Sequence, residues 1–161
     1  MKPRIAGKLP TGKYKEKLTS SPNYKNGSFQ NLSPTPMKPE GVSYWKMMRE
    51  FFKKHPDTAP PRTLPSVKTD LNALEISSAS MVWFGHSSYL LKFEGKTFLI
   101  DPVFSGNAAP LSFMVKAFPG SNVYSEDDMP SIDYLVLSHD HYDHLDYETI
   151  TKLRTKVKTV I

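Results

Sequence analysis

Short apolar runs separated by turn residues occupy the second half of the chain, and they predict a β-sheet. Three short runs made mostly of apolar and aromatic residues lie close together and predict three successive antiparallel strands: Met81–Phe84, Tyr89–Phe93 and Thr97–Ile100. Glu94-Gly95-Lys96 suits the hairpin turn between the second and third strands. The uninterrupted apolar run Tyr134–Leu137 predicts a further, buried strand.

Two amphipathic helices are predicted, one before and one after these strands. Ser43 suits the N-cap of a helix that continues to about Lys54, with aromatic side chains on one face and basic ones on the other. We favour packing of its apolar face on the chain's own domain; a membrane-surface helix is the alternative. Asp146 suits the cap of a second helix, Tyr147–Arg154, and we favour this role over metal binding. Val157–Ile161 begins another strand.

The sequence predicts three regions along the chain. Residues 1–42 are rich in Pro, Gly, Ser, Asn and Lys and predict an irregular leader. Residues 43–66 comprise the first helix and a proline-rich linker, in which we interpret His55 as an exposed residue and not a ligand. Residues 67–161 form the main domain. Its long insertion, residues 103–131, carries many apolar side chains and either roofs the site or covers the sheet.

Composition and charge limit the kinds of protein and of metal site that the chain can form. The length of 161 residues suits one modest domain, and the absence of cysteine excludes disulfides and zinc–thiolate sites. Residues 1–62 hold 13 Lys and Arg against 4 Asp and Glu, whereas the rest holds 8 against 12. We favour a solvated leader over a dedicated surface for anionic lipid or nucleic acid. No signal peptide or transmembrane run is apparent, so we expect a cytoplasmic protein, with membrane association as an alternative.

The richest chemistry lies in the segment 138–146, directly after the last buried strand. It contains three histidines and several carboxylates. His139 and His141 can converge on one cation, while Asp143 and His144 can reach a second one nearby. A divalent, zinc-like ion accepts this mixture of nitrogen and oxygen ligands. The alternative, a solvated histidine-rich turn, explains this spacing less well.

This His-x-His-x-Asp-His pattern resembles the signature of the metallo-β-lactamase fold. Ser138–Asp146 is similar to a branch that contains the N-acyl-phosphatidylethanolamine phospholipase D enzymes and related bacterial metal-dependent hydrolases. Trp83–Ser88 and Phe98–Pro102 resemble the first strands of that domain, and Tyr24–Asn31 is more weakly similar to its leader. The resemblance implies an α/β (α+β) fold, the N-terminal half of an αβ/βα sandwich, preceded here by the irregular basic leader.

The resemblance also implies a reaction and roles for single residues. A metal-bound water attacks a phosphodiester or phospholipid-type ester, with two Zn²⁺ ions, or Mn²⁺ or Fe²⁺ in their place. Asp143 and His144 are the expected catalytic residues, and Asp143 orients the attacking water. Asp101 accepts a hydrogen bond from a ligand or steadies the metal loop, unless it is an ordinary strand-end residue. His86 contacts the substrate at the rim, unless its role is structural.

Two questions stay open from the sequence. The superfamily also cleaves lactones, thioesters, β-lactams and RNA, although we expect no nucleic acid here because the leader lacks a regular aromatic array. The family takes further metal ligands from a second half, and no residue after His144 can supply them. We therefore favour a fragment of a longer enzyme over a short protein that completes its site from another chain. An inactive metal-binding fragment is the non-catalytic alternative, and the oligomeric state is open.

Overall fold

The computed structural model describes residues 9–36, 38–53, 56–108 and 115–161. It divides the chain into two compact units, Met1–Thr58 and Ala59–Ile161. The boundaries at residues 43 and 67 stay predictions. The predicted linker role of His55 and the middle of the predicted insertion lie outside the described residues. The first predicted helix ends at Phe51, before its predicted end near Lys54. Within the described parts of the chain, no helix is both long and apolar enough to cross a bilayer.

The first unit contains two short elements that the sequence analysis did not predict in the leader. One is a helix and the other is a minimal hairpin of two strands: α1 Lys13–Thr19, β1 Tyr24–Lys25 and β2 Ser28–Phe29. Asn26 and Gly27 form the hairpin turn with φ of 56° and 82°. Asn-Gly favours such a turn because both central residues need positive φ. The leader is therefore less irregular than its composition indicates.

The predicted amphipathic helix is present as α2, Tyr44–Phe51, and its cap is confirmed. The Ser43 hydroxyl accepts a hydrogen bond from the backbone N–H of Lys46 at 3.2 Å. No residue of α2 is buried, and Trp45 and Phe51 each keep 80% of their surface exposed. The preferred interpretation, packing of the apolar face on the chain's own domain, therefore gains no support from these exposures.

The second unit is built on a mixed five-stranded sheet, which confirms the predicted α+β fold class. The first three strands are antiparallel neighbours, and the last two extend the sheet in parallel. A helix, α3, connects the last two strands. The bounds are β3 Ser80–Gly85, β4 Ser88–Phe93, β5 Lys96–Ile100, β6 Ile132–Val136, α3 Tyr147–Leu153 and β7 Val157–Val160.

One face of this sheet is covered and forms the core. Leu90, Leu99 and Leu135 are cross-strand partners in one row across β4, β5 and β6, and each is fully buried. Leu153 of α3 belongs to the same buried cluster. Aliphatic residues at register positions bury a continuous apolar row against the helix, which stabilises the order of the strands.

The opposite face of the sheet is apolar as well. It carries two rows of apolar side chains across β3 to β6, and none of these side chains is buried. Phe98 and Tyr134 stack there with ring centroids 5.1 Å apart, while Met81 and Trp83 are 66% and 65% exposed. The two rows are Met81, Leu91, Phe98, Tyr134 and Trp83, Tyr89, Ile100, Val136. An apolar sheet face needs a second layer, as in a two-sheet sandwich.

Candidate metal centre

The centre lies at the edge of the sheet where β5 and β6 end. These strands are parallel neighbours, so the residues that follow them, Asp101 and Ser138, are brought together. The Asp101 carboxylate accepts hydrogen bonds from the Ser138 backbone N–H at 2.8 Å and from the Ser138 hydroxyl at 2.7 Å. Its side chain is only 3% exposed. A buried carboxylate therefore anchors the start of the metal loop, which we define as residues 138–146.

The same carboxylate orients His144. Asp101 Oδ2 lies 2.8 Å from His144 Nδ1. When a carboxylate accepts a hydrogen bond from Nδ1–H, Nε2 carries the free lone pair and is available to a metal. Burial by itself raises the pKa of the Asp101 carboxyl, but the hydrogen bonds from His144 and Ser138 outweigh burial and hold that pKa below its ordinary value. Asp101 is thus an ionised acceptor at neutral pH.

The metal loop ends at Asp146, which is a helix cap as predicted. Its carboxylate accepts hydrogen bonds from Glu148 N at 3.1 Å and Thr149 Oγ1 at 2.7 Å at the start of α3. It also accepts one from Ser105 N at 2.9 Å. The Asp146 side chain is buried, and these bonds fix the C-terminal end of the loop, as the bonds of Asp101 to Ser138 fix its start. The histidines between these two ends are therefore held on a well-anchored backbone.

The loop brings its three imidazoles together. The ring centroids of His139 and His141 are 4.6 Å apart, and those of His139 and His144 are 3.9 Å apart. The Ser138 hydroxyl lies 2.9 Å from His139 Nδ1. Three imidazoles this close together suit shared metal binding, but the assignment of His139 and His141 to a first ion stays a prediction.

His86 approaches this loop from the turn between β3 and β4. Its Nε2 lies 3.0 Å from Asp143 Oδ2, which in turn lies 3.8 Å from His144 Nε2. One nitrogen or oxygen of each of these three residues falls within 4.8 Å of the others, a grouping that can hold a metal ion. Two imidazoles and a carboxylate are a suitable set for zinc or iron. The predicted contact of His86 with substrate stays a prediction.

The sequence did not predict the contacts that three further residues make in this centre. Ser138 bonds Asp101 and two histidines, Ser87 Oγ lies 3.1 Å from His144 Nδ1, and Trp83 Nε1 donates to the His86 carbonyl at 2.9 Å. The position of Ser138 beside the histidine motif was visible in the sequence. Its bond to Asp101, 37 residues away, depends on the pairing of β5 with β6.

Residues 96–161 match the family model of the β-lactamase superfamily domain. The matched region includes β5, β6, α3, β7 and the whole metal loop. The histidine motif and the strand–helix–strand unit that holds it therefore fall within the matched region, as the sequence predicted.

Several proteins resemble the chain. An uncharacterised protein of Mycobacterium tuberculosis is 32% identical over 134 residues, which are 83% of this chain but 36% of that protein. The N-acyl-phosphatidylethanolamine-hydrolysing phospholipase D 1 of Caenorhabditis elegans is 38% identical over 79 residues, 47% of this chain and 22% of that enzyme. A UPF0173 metal-dependent hydrolase of Saccharolobus solfataricus is 35% identical over 80 residues, 50% of this chain and 30% of that protein.

A solved structure is similar too, that of CmlA, a diiron β-hydroxylase from Streptomyces venezuelae. It has a TM-score of 0.37 and 30% identity, and the match covers 51% of this chain and 14% of CmlA. The chain spans about a third of the length of the mycobacterial relatives that it matches.

Proposed function

We propose that this protein is a metal-dependent hydrolase that cleaves a phosphodiester or phospholipid-type ester. The observation that carries the proposal is the contact of the buried Asp101 carboxylate with His144 Nδ1, which leaves His144 Nε2 free beside Asp143. A carboxylate behind an imidazole is the usual support of a metal-bound histidine. The names of two relatives, a metal-dependent hydrolase and a phospholipase D, support the same reaction class.

The chain's residues have distinct parts in this proposal. His139 and His141 hold a first ion, and Asp143 and His144 hold a second, with zinc as the proposed metal and Mn²⁺ or Fe²⁺ as alternatives. A bound divalent ion supplies Lewis acidity and makes a coordinated water more acidic. Asp143 also accepts a hydrogen bond from the attacking water and so aims its oxygen at the substrate. Asp101 and Ser138 hold the His144 ring in place for these contacts.

The sheet face opposite the core carries apolar side chains that are not buried, and this exposure suggests how the metal site is completed. Its two rows of apolar side chains support a second layer of structure, provided by further residues of the same polypeptide or by a partner chain. We propose that this layer contributes the remaining ligands. In the non-catalytic alternative, the 161-residue chain binds metal but does not turn over a substrate by itself.

The test uses the protein isolated from its natural source, whose intact mass is compared with the 18.2 kDa of this chain. That protein is assayed with bis(p-nitrophenyl) phosphate, an N-acyl-phosphatidylethanolamine and a lactone, before and after removal of metal with a chelator. We expect phosphodiester cleavage that is lost with the metal and restored by Zn²⁺. Cleavage of the lactone alone would favour the lactonase alternative. A metal-loaded protein that cleaves none of these esters would refute the proposal.

A further inference from the structure

We infer that His86 is a third protein ligand of the cation held by Asp143 and His144, so that the β3–β4 turn completes a one-ion site within this chain. This inference rests on the proposed metal centre and adds a ligand to it. Asp143 and His144 are the two protein ligands that the sequence predicts for this cation, whereas a catalytic zinc ordinarily has three. The structure offers the missing donor from a strand turn that precedes the metal loop by more than 50 residues.

The separations of the donor atoms fit a single cation. In a tetrahedral site with bonds of about 2.0–2.2 Å, neighbouring ligand atoms lie roughly 3.3–3.6 Å apart. His86 Nε2 and Asp143 Oδ2 are 3.0 Å apart, and Asp143 Oδ2 and His144 Nε2 are 3.8 Å apart. The two distances bracket the tetrahedral value, so small side-chain rotations are enough to place all three atoms around one ion.

The backbone of the β3–β4 turn holds His86 in this position. The register of the two strands shifts between Trp83 and Gly85, and the next residue, His86, has a φ of 48°. The Trp83 indole N–H donates to the His86 carbonyl at 2.9 Å, which fixes the turn from β3. Left-handed backbone is uncommon outside glycine but is relatively accessible to His, Asn and Asp. The turn thus maintains an unusual conformation that directs the imidazole towards the loop.

The β3–β4 turn also contacts His144, the other histidine of this proposed ligand set. Ser87 Oγ lies 3.1 Å from His144 Nδ1, and the His86 and His144 rings meet edge to face with centroids 5.2 Å apart. The side chains of His86 and Asp143 are 63% and 39% exposed. A cation bound between them is therefore reachable from solvent, which leaves room for water at the fourth position.

The experiment measures metal binding by the 161-residue chain and its variants. Zn²⁺ titrations are followed by calorimetry, and the absorption of bound Co²⁺ reports the geometry of the ligands. His86→Asn removes the imidazole but keeps a residue that tolerates the positive φ. We expect this variant to lose at least tenfold in affinity for one ion per chain, with weaker Co²⁺ bands. Asp133→Asn is the control, because the Asp133 carboxylate accepts hydrogen bonds from Thr97 and Lys158 on the strands, away from the metal loop, and we expect its affinity for that ion to be unchanged.

The outcomes separate this inference from the proposed function. If Asp143→Asn loses the ion but His86→Asn binds it as tightly as the native chain, the inference is overturned and the metal centre stands. If Asp143→Asn and His144→Ala also bind as the native chain does, the metal centre itself fails. Should His86→Asn not fold, the ring ¹⁵N signals of His86 in the native chain decide, because a ligand's Nε2 signal must shift on addition of Zn²⁺.

A further variant tests the turn as the positioning device. Trp83→Phe keeps the aromatic ring but removes the donor to the His86 carbonyl. We expect a severalfold loss of Zn²⁺ affinity, smaller than that of His86→Asn, and no further loss when the two changes are combined. An additional loss in the double variant would contradict a role of Trp83 through His86.

Discussion

The exchange Asp101→Asn tests how far a single buried carboxylate controls the metal loop. Asparagine has nearly the same shape, but it presents one oxygen and one NH₂ group where aspartate presents two oxygens. Asp101 Oδ1 accepts from Ser138 N at 2.8 Å, and Oδ2 faces both the Ser138 hydroxyl and His144 Nδ1. The amide oxygen is expected to keep the bond to the backbone, so the NH₂ group is turned towards His144.

The replacement of an acceptor by a donor next to His144 Nδ1 changes which ring nitrogen carries the proton. An NH₂ group donates, so Nδ1 must accept, and the neutral ring then carries its proton on Nε2. That nitrogen is the one next to Asp143, and a protonated Nε2 cannot bind a cation. Loss of a carboxylate behind a ligating histidine typically lowers metal affinity by about 10- to 100-fold. This loss corresponds to about 1.4–2.7 kcal/mol of binding free energy.

The assay compares Zn²⁺ affinity and urea unfolding of native and variant chains. Asp133→Asn is the matched control, because Asp133 accepts hydrogen bonds from Thr97 N at 2.9 Å and Lys158 Nζ at 2.8 Å on the strands, away from the loop. We expect the control to lower the unfolding midpoint without changing Zn²⁺ affinity. A folded Asp101→Asn chain that binds Zn²⁺ within twofold of the native chain would refute the reasoning on the ring proton.

Four further predictions follow from the structure. If the protein from its natural source has the proposed activity, Asp143→Asn should abolish its turnover of bis(p-nitrophenyl) phosphate and leave the circular dichroism spectrum unchanged. Asp146→Ala should destabilise the chain by about 2–3 kcal/mol in urea, because it removes a helix cap and leaves buried donors unpaired. Hydrogen bonds from Lys158 and Thr97 lower the pKa of Asp133, so its stabilisation is complete above the ordinary pKa of 3.8 and is lost as pH falls through the lower folded-state pKa. The native chain and Asp133→Asn should therefore differ in unfolding midpoint at pH 7, and the difference should shrink as the pH falls below 3.8. For the exposed apolar side chains of α2, we propose contact with anionic vesicles; equal co-sedimentation of the native chain and Trp45→Ser would argue against it.

The sequence by itself determined the local features of the protein. Short, mostly apolar runs predicted β3 to β6, because a strand that lines a core buries apolar side chains. Ser43 and Asp146 predicted the starts of α2 and α3, since a cap depends on a side chain and an N–H only two or three residues away. The metal loop was equally visible, because its candidate ligands lie within a few residues of one another. The hairpin at Asn26-Gly27 carried a local signal too, although the composition of the leader concealed it.

Only the tertiary structure decided which distant residues join the loop. Asp101 meets His144, 43 residues later, because β5 and β6 are parallel neighbours whose carboxyl ends lie at one edge of the sheet. His86 meets Asp143 because the β3–β4 turn bends towards that edge. The sequence places both residues beside strands, but it does not fix the order of those strands. Strand order depends on the burial of Leu90, Leu99 and Leu135 in one row, a property of the whole sheet that no single segment encodes.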